Sequence, residues 1–255
     1  MKILIKQAKI IDSSSKHNNK ICDILINNNK IEKIAKKIQI DSDTKIYKNE
    51  NLHVSQGWFD MHVNFGQPGF EQRETIENGL NAAAKGGFTE VLLMPNTNPS
   101  IDNSSIIDFI KGFSKRNVVK IQVAGNLTVS QKGKNIVEIH DMTNNGCIAF
   151  TDDKKSIQNN ELMKIAMLYI KNSNSLLMNF PNDSKIQKNG VINEGKISTQ
   201  LGLKGIPNIA EEMMLDRDIT LCDYTESKIH ESYISTERSV DKIKKAKEKG
   251  INVTS

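Results

Sequence analysis

The feature that most constrains this chain is an alternation that begins at Trp58, where short apolar runs take turns with stretches of helical spacing. Strands are expected at residues 58–63, 90–94, 118–124, 146–150, 175–180, 228–234 and 251–254. Between them, a helix over 74–85 stops at Gly86-Gly87. Another over 236–249 sets Val240, Ile243 and Ala246 on one face, with Ser235 as the expected N-cap and Gly250 just past the end. Repeated strand–helix–strand units connect by right-handed crossovers and give an α/β fold with a parallel sheet. The number of units favours a (β/α)8 barrel of the TIM type over an open doubly wound sheet, and chemistry then belongs at the C-terminal ends of the strands.

The first part of the chain has another texture. Short β-rich stretches around Ile3, Ile21 and Ile31 are punctuated by Asn18-Asn19 and Asn27-Asn28-Asn29 turns. A small β-sandwich-like module is expected over residues 1–55 and the barrel over 56–255. A complete barrel takes about 250 residues, whereas only about 200 follow the module. The expected barrel is therefore incomplete at its C-terminus, lacking the last strand–helix units. An open barrel exposes two strand edges, so the sequence is either a piece of a longer protein or a chain that pairs those edges with a partner.

Composition removes several function classes. With 37% hydrophobic and 25% charged residues the chain is globular. Its longest apolar runs, such as 91–94, fall far short of the roughly 18 residues a membrane span needs. Lys2, Lys6 and Lys9 alternate with Ile3, Ile5 and Ile10, which reads as a half-buried strand instead of a secretory signal, so a cytoplasmic location is expected. The net charge of +5 is spread over scattered lysines, which argues against nucleic-acid binding. Cys22, Cys147 and Cys222 lie far apart without CxxC spacing and read as core thiols.

The segment from Gly57 to Glu71 carries the most chemistry. A strand ending in His-x-His sends both imidazoles to one face and makes a natural pair of metal ligands. Here the pair is His62 and Asn64, and a lone histidine reads first as a satisfied polar residue. Glu211-Glu212, beside Met213, Met214 and Leu215, reads as the solvated edge of a helix. Gly195, Gly202 and Gly205 do not form a dinucleotide fingerprint.

The whole segment nevertheless resembles the dihydroorotase family of the amidohydrolase superfamily, whose first barrel strand reads G-F-x-D-x-H-x-H-x-R-x-P-G-x-E. Further blocks follow in family order: Met94-Pro95-Asn96-Thr97-Asn98-Pro99, Ala149-Phe150-Thr151-Asp152-Asp153, Asn193-Glu194-Gly195, Arg217-Asp218 and Ile234-Ser235-Thr236. The resemblance covers essentially the entire chain. It implies a barrel of the metal-dependent hydrolase kind and hydrolysis of a cyclic amide, the dihydroorotate–carbamoyl aspartate step of pyrimidine biosynthesis. It also implies a pair of zinc ions that activate a bridging hydroxide.

Carried over by position, the resemblance makes His62 a metal ligand and Asp152 the metal carboxylate, with Asp153 in that role if the alignment slips by one. It places Asn96 against the substrate carboxylate. The second histidine is Asn64, the fifth-strand histidine falls on Phe180, the sixth-strand histidine on Tyr233, and the arginine that grips the substrate on Gly66. The family's catalytic aspartate would fall beyond Ser255. Two ions sharing His62 and Asp152 lack the ligands they need, so the resemblance is to a degenerate family member with zinc weakly held or absent. No catalytic residue is assigned. Its expected role is impaired catalysis or a non-catalytic scaffold, as a homo-oligomer or assembled with a pyrimidine-pathway enzyme such as aspartate carbamoyltransferase.

Overall fold

The computed structural model describes residues 2–114 and 117–255, the Ser114 side chain excepted. The chain divides into two compact units, Met1–Trp58 and Phe59–Ser255.

In the first unit, β1 (Lys2–Ile11), β2 (Ile21–Asn27), β3 (Lys30–Ala35), β4 (Lys45–Tyr47) and β5 (His53–Ser55) form one sheet in the order β3-β2-β1-β4, with β5 also on β1. β1–β2 and β2–β3 are antiparallel, whereas β4 and β5 run parallel to β1. Asn28 and Asn29, both at positive φ, make the two-residue turn between β2 and β3, the backbone a tight hairpin needs. Leu4 sits opposite Leu25 on one face and Ile5 opposite Ile24 on the other, so alternation gives each face its own apolar cluster. A bulge in β1 at Gln7 is held by buried Asp23, which accepts from Gln7 N at 2.9 Å and Ile38 N at 3.0 Å.

The second unit alternates strand and helix. Its parallel-sheet strands are β6 (Trp58–Val63), β7 (Phe88–Leu93), β8 (Lys120–Gly125), β9 (Cys147–Phe150) and β10 (Leu176–Asn179). After a small pair, β11 (Ile192–Asn193) and β12 (Gly205–Ile206), come β13 (Ile229–Glu231) and β14 (Val253–Thr254). The helices are α1 (Ile76–Lys85), α2 (Ser104–Ser114), α3 (Ile139–Asn144), α4 (Asn160–Ser173), α5 (Ser184–Gln187), α6 (Lys196–Gln200), α7 (Ile209–Thr225) and α8 (Glu237–Glu248). The main sheet has the order β14-β13-β10-β9-β8-β7-β6. Spatial order that repeats chain order is the signature of barrel winding; a doubly wound sheet reverses direction at a switch point. The sheet is thus a curled parallel half-barrel, with seven strands among the described residues.

The main core lies between this sheet and its helices. Val91, Leu93, Ile121, Val123, Leu177 and Ile229 point outward against Ile76, Leu80, Ile107, Ile110, Met163, Met167 and Leu215. A second cluster, Leu92, Met94, Ala124, Ala149 and Met178, fills the concave side. Gly79 lets α1 approach closely, since a Cβ there would stand 2.3 Å from the Phe65 ring. Among the described residues no helix is long and apolar enough to cross a membrane.

Two local expectations are corrected. The N-cap of α8 is Thr236, whose hydroxyl accepts from Ser239 N at 3.2 Å, and not Ser235. Glu211 and Glu212 are buried, 8% and 9% exposed, instead of solvated. Glu211 accepts from the backbone N–H and hydroxyl of both Ser235 and Thr236 at 2.7–3.1 Å, tying α7 to the start of α8. Burial alone would raise its pKa, but the Ser239 hydroxyl together with those of Ser235 and Thr236 and the Thr236 N–H holds it below the ordinary glutamate value.

Candidate functional site

Five positions singled out in the sequence converge beyond the C-terminal ends of the strands: His62 on β6, Asn64 just after it, Asn96 after β7, Phe180 after β10 and Tyr233 after β13. The carboxylate that joins them is Asp153, after β9. The Tyr233 hydroxyl lies 2.7 Å from His62 Nε2 and donates to Asp153 Oδ1 at 3.0 Å. His62 Nε2 is also 3.2 Å from Asp153 Oδ1. Asn96 Nδ2 donates to the other Asp153 oxygen and to Asn64 Oδ1 at 2.8 Å. The Tyr233 ring stands edge-on to His62 and to Phe180, with centroids 5.2 and 5.6 Å apart.

The donors and acceptors of this cluster close on themselves. A phenol has one proton, and Tyr233 gives it to Asp153; His62 Nε2 must then be the donor toward Tyr233. In that tautomer Nε2 carries the proton, which a metal would have to displace. Burial would raise the Asp153 pKa, but His62, Asn96 and Tyr233 together hold it below the ordinary aspartate value. Burial, with the Asp153 charge beside it, pushes the Tyr233 phenol above its ordinary value, so it stays protonated.

The backbone contributes to this convergence. Asp153 (φ 51°) and Tyr233 (φ 60°) both adopt left-handed conformations, rare for side chains of this size. Such conformations persist where surrounding contacts over-determine them and collect at functional sites. β13 stops at Glu231, short of the 228–234 expected, and β9 ends at Phe150 as expected.

Asp152, the expected metal carboxylate, is placed differently. It is 3% exposed, and its oxygens accept from Leu127 N at 3.0 Å, Thr128 N at 2.9 Å and the Thr128 hydroxyl. It fastens the loop after β8. Burial raises its pKa, opposed by these donors. Gly66 is packed so tightly that a Cβ would lie 2.0 Å from the Phe70 carbonyl oxygen. Basic residues that motif reading passed over, Arg73, Lys154 and Lys155, border the cluster together with Gln131. No motif marks them, because they lie in loops whose spacing carries no periodic signal.

A pair of zinc ions needs about three protein ligands each plus an open position. The cluster offers one imidazole and one carboxylate, both engaged; Asn64 brings a neutral amide oxygen, Phe180 a hydrocarbon ring and Tyr233 a phenol that burial keeps protonated. Among the described residues no group of three or more His, Cys, Asp or Glu is placed to hold a metal ion. The residues present do not fit a two-zinc centre.

The family model described as dihydro-orotase-like matches residues 53–239. Among curated relatives, a dihydroorotase of Thermoanaerobacter sp. (strain X514) is 41% identical over 255 residues, which is 100% of this chain and 58% of the relative. A dihydroorotase of Geobacter metallireducens is 36% identical, over 100% of this chain and 60% of the relative. This chain therefore spans about three-fifths of the length of the curated relatives it matches. Among solved structures, L-hydantoinase from Arthrobacter aurescens superposes with a TM-score of 0.78 at 17% identity, covering 98% of this chain and 57% of that one. Saccharomyces cerevisiae dihydroorotase in complex with 5-fluoroorotic acid gives 0.53 at 15% identity, covering 76% and 54%. At these identities the structures attest the fold alone.

Proposed function

We propose that this chain, which belongs to the dihydroorotase-like family, keeps the family's scaffold but does not itself carry out metal-assisted opening or closing of a cyclic amide. The observation behind this reading is the closed hydrogen-bond cluster of His62, Tyr233, Asp153, Asn96 and Asn64 at the strand ends. Metal-assisted hydrolysis needs a hydroxide generated between ions and a carbonyl polarised by them. Here the same space is spanned by side chains that satisfy one another, so displacing them for a metal would break several hydrogen bonds at once. Zinc, by this reading, is bound weakly or not at all.

The role left to such a scaffold is assembly in pyrimidine biosynthesis. The partner we favour is an enzyme of that pathway such as aspartate carbamoyltransferase, with self-association as the other form. The test uses the purified chain supplied with zinc, assayed for dihydroorotate ring opening beside an active family member, with bound metal measured after dialysis. The expected result is no turnover above background and less than one zinc per chain. Turnover comparable to the control would overturn this reading in favour of an amidohydrolase working from His62 and Asp153. Asn64→His, Phe180→His and Tyr233→His combined should raise zinc retention, because they return imidazoles to the positions that surround His62.

A further inference from the structure

We propose that a second cavity, on the helix side of the half-barrel, binds an organic amine carried on an apolar body that ends in a ring. The cavity has a volume of about 540 Å³ and lies between α4 and residues 134–140, the segment that leads into α3. That volume is within the range of small-molecule sites. None of the strand-end cluster lines it, and its occupancy does not depend on whether the mouth is catalytic.

One wall is a stripe of α4. Glu161, Ile165 and Tyr169 recur at four-residue spacing, which stacks them along one helix face over about 12 Å. The floor is apolar: Val137, Ile139 and Leu162 are buried members of the main core, and Ile136 packs against it. Tyr169, by contrast, is 52% exposed, a large ring left on the outer surface where it borders the same cavity.

The opposite wall is fixed before any ligand arrives. Val129 N donates to Asn135 O at 2.9 Å and Val137 N to Leu127 O at 3.2 Å, so the chain between them closes on itself. Thr128 and Ile136 form a β-bridge, and buried Asp152 accepts from Leu127 N and Thr128 N of the same loop. A wall held in this way loses little freedom on binding.

The rim supplies the charge. Lys134, Glu138, His140 and Glu161 are all exposed, and among the described residues none of them forms an ion pair. With His140 neutral, two carboxylates stand against one ammonium, so the rim is net negative. An ammonium group has donors and no acceptor, the complement of two carboxylates. A single exposed ion pair contributes little, and apolar contact with Ile136, Ile165 and the Tyr169 ring must supply the rest. Recognition therefore takes both parts in one molecule: an amine for the acids, and an apolar body long enough to set its ring against Tyr169.

The experiment is a titration of the isotopically labelled full chain with phenylbutylamine, ethylamine and phenylbutyrate, followed by amide NMR shifts. Phenylbutylamine is expected to saturate one site and to move amides within 134–140 and 159–169, with ethylamine and phenylbutyrate each at least tenfold weaker. Glu161→Gln and Tyr169→Ala should each weaken phenylbutylamine at least threefold, and Glu138→Gln combined with Glu161→Gln at least tenfold. Lys134→Gln should bind it at least as tightly as the wild type, and Tyr224→Ala, an exposed tyrosine of α7 outside the cavity, should change nothing. Every substituted side chain is exposed, and unchanged amide spectra away from the cavity certify the fold. The proposal fails if phenylbutylamine saturates no site, if phenylbutyrate binds as tightly, if the amides that move are those of His62, Asn96 and Tyr233 instead, or if Glu161→Gln and Tyr169→Ala leave binding unchanged. Ring-opening turnover, measured separately, would overturn the non-catalytic reading without touching this result.

Discussion

Two polar clusters, one at the strand ends and one on the helix side of the half-barrel, each hold a buried carboxyl and treat it differently. At the strand ends, Asp153 is surrounded by donors and its charge is held in place. On the helix side of β10 and β13, Asp218 takes the donors within reach: Arg217 Nε and Nη2 at 2.9 and 2.6 Å and Asn179 Nδ2 at 2.7 Å. Its neighbour Glu231 is left with both carboxyl oxygens buried and, among the described residues, without a hydrogen-bond partner. Burial, and then the Asp218 charge, push the Glu231 pKa well above the ordinary glutamate value, so it is held as a neutral acid. Burial pushes all of these carboxyls up. Asp153 ends below its ordinary value because His62, Asn96 and Tyr233 outweigh burial, whereas Asp218 is still pushed up to about 6 despite its donors. Glu231, beside that second acid and without donors, is pushed well above its ordinary value.

The comparison breaks most severely if the owner of the donors is removed. Asp218→Ala leaves the Arg217 guanidinium and the Asn179 amide inside the protein without their acceptor, and breaking a buried pair of this kind costs about 3–5 kcal/mol. Urea denaturation should show that loss as a lower midpoint with an unchanged slope. A loss below about 1 kcal/mol would mean that water or another acceptor already serves Arg217.

The next effect runs the other way. Glu231→Leu removes an unsatisfied buried carboxyl from beside Ile229 and should stabilise the fold by about 1–3 kcal/mol, seen as a melting temperature higher by several degrees. Glu231→Gln, which keeps an unpaired polar group, should not. The sign of the pH dependence follows from linkage. Glu231 holds its proton more tightly when folded, so its contribution is fully present below the unfolded value of about 4.5 and is lost as pH rises toward the raised folded pKa. Asp153, whose folded pKa is lowered, contributes in the opposite sense: its stabilisation is present above about 3.8 and is lost as pH falls. Melting temperatures taken from pH 4.5 upward should therefore decline more steeply in the wild type than in Glu231→Leu, and parallel curves would sink the assignment.

Much of this architecture was legible in the chain, because period-two apolar runs and helix-end signals come from the same burial that builds the sheet. Expected strands and observed ones coincide at β6 and differ by a residue or two at β9 and β10. At the strand ends that logic stops. Once the chain enters a left-handed turn at Asp153, alternation no longer says which of two adjacent aspartates faces the mouth, and Asp152 turns into the β8 loop instead. Ser235 is the N-cap the sequence suggests, but the cap is Thr236, one residue on, whose hydroxyl accepts from Ser239 N. Glu231 lies two residues from Ile229 and shares its buried face, as period-two alternation requires. Gly66, the position the resemblance gives to the substrate-gripping arginine, closes a loop in which a Cβ would strike the Phe70 carbonyl.

The smallest expected effect sharpens the contrast at the mouth. Tyr233→Phe deletes the hydroxyl that links His62 to Asp153 but keeps the ring that stands edge-on to Phe180. Because Asp153 keeps Asn96 and can take His62 directly at 3.2 Å, the net loss should be only about 1 kcal/mol, measured by thermal melting. The informative part is the charge. Without the phenol, Asp153 has one donor fewer and its pKa should move up toward the ordinary value, so the acid limb of the stability curve shifts to higher pH. If that limb stays where it is, the donors that hold Asp153 charged are His62 and Asn96 alone, and Tyr233 belongs to the cluster through its ring instead of its proton.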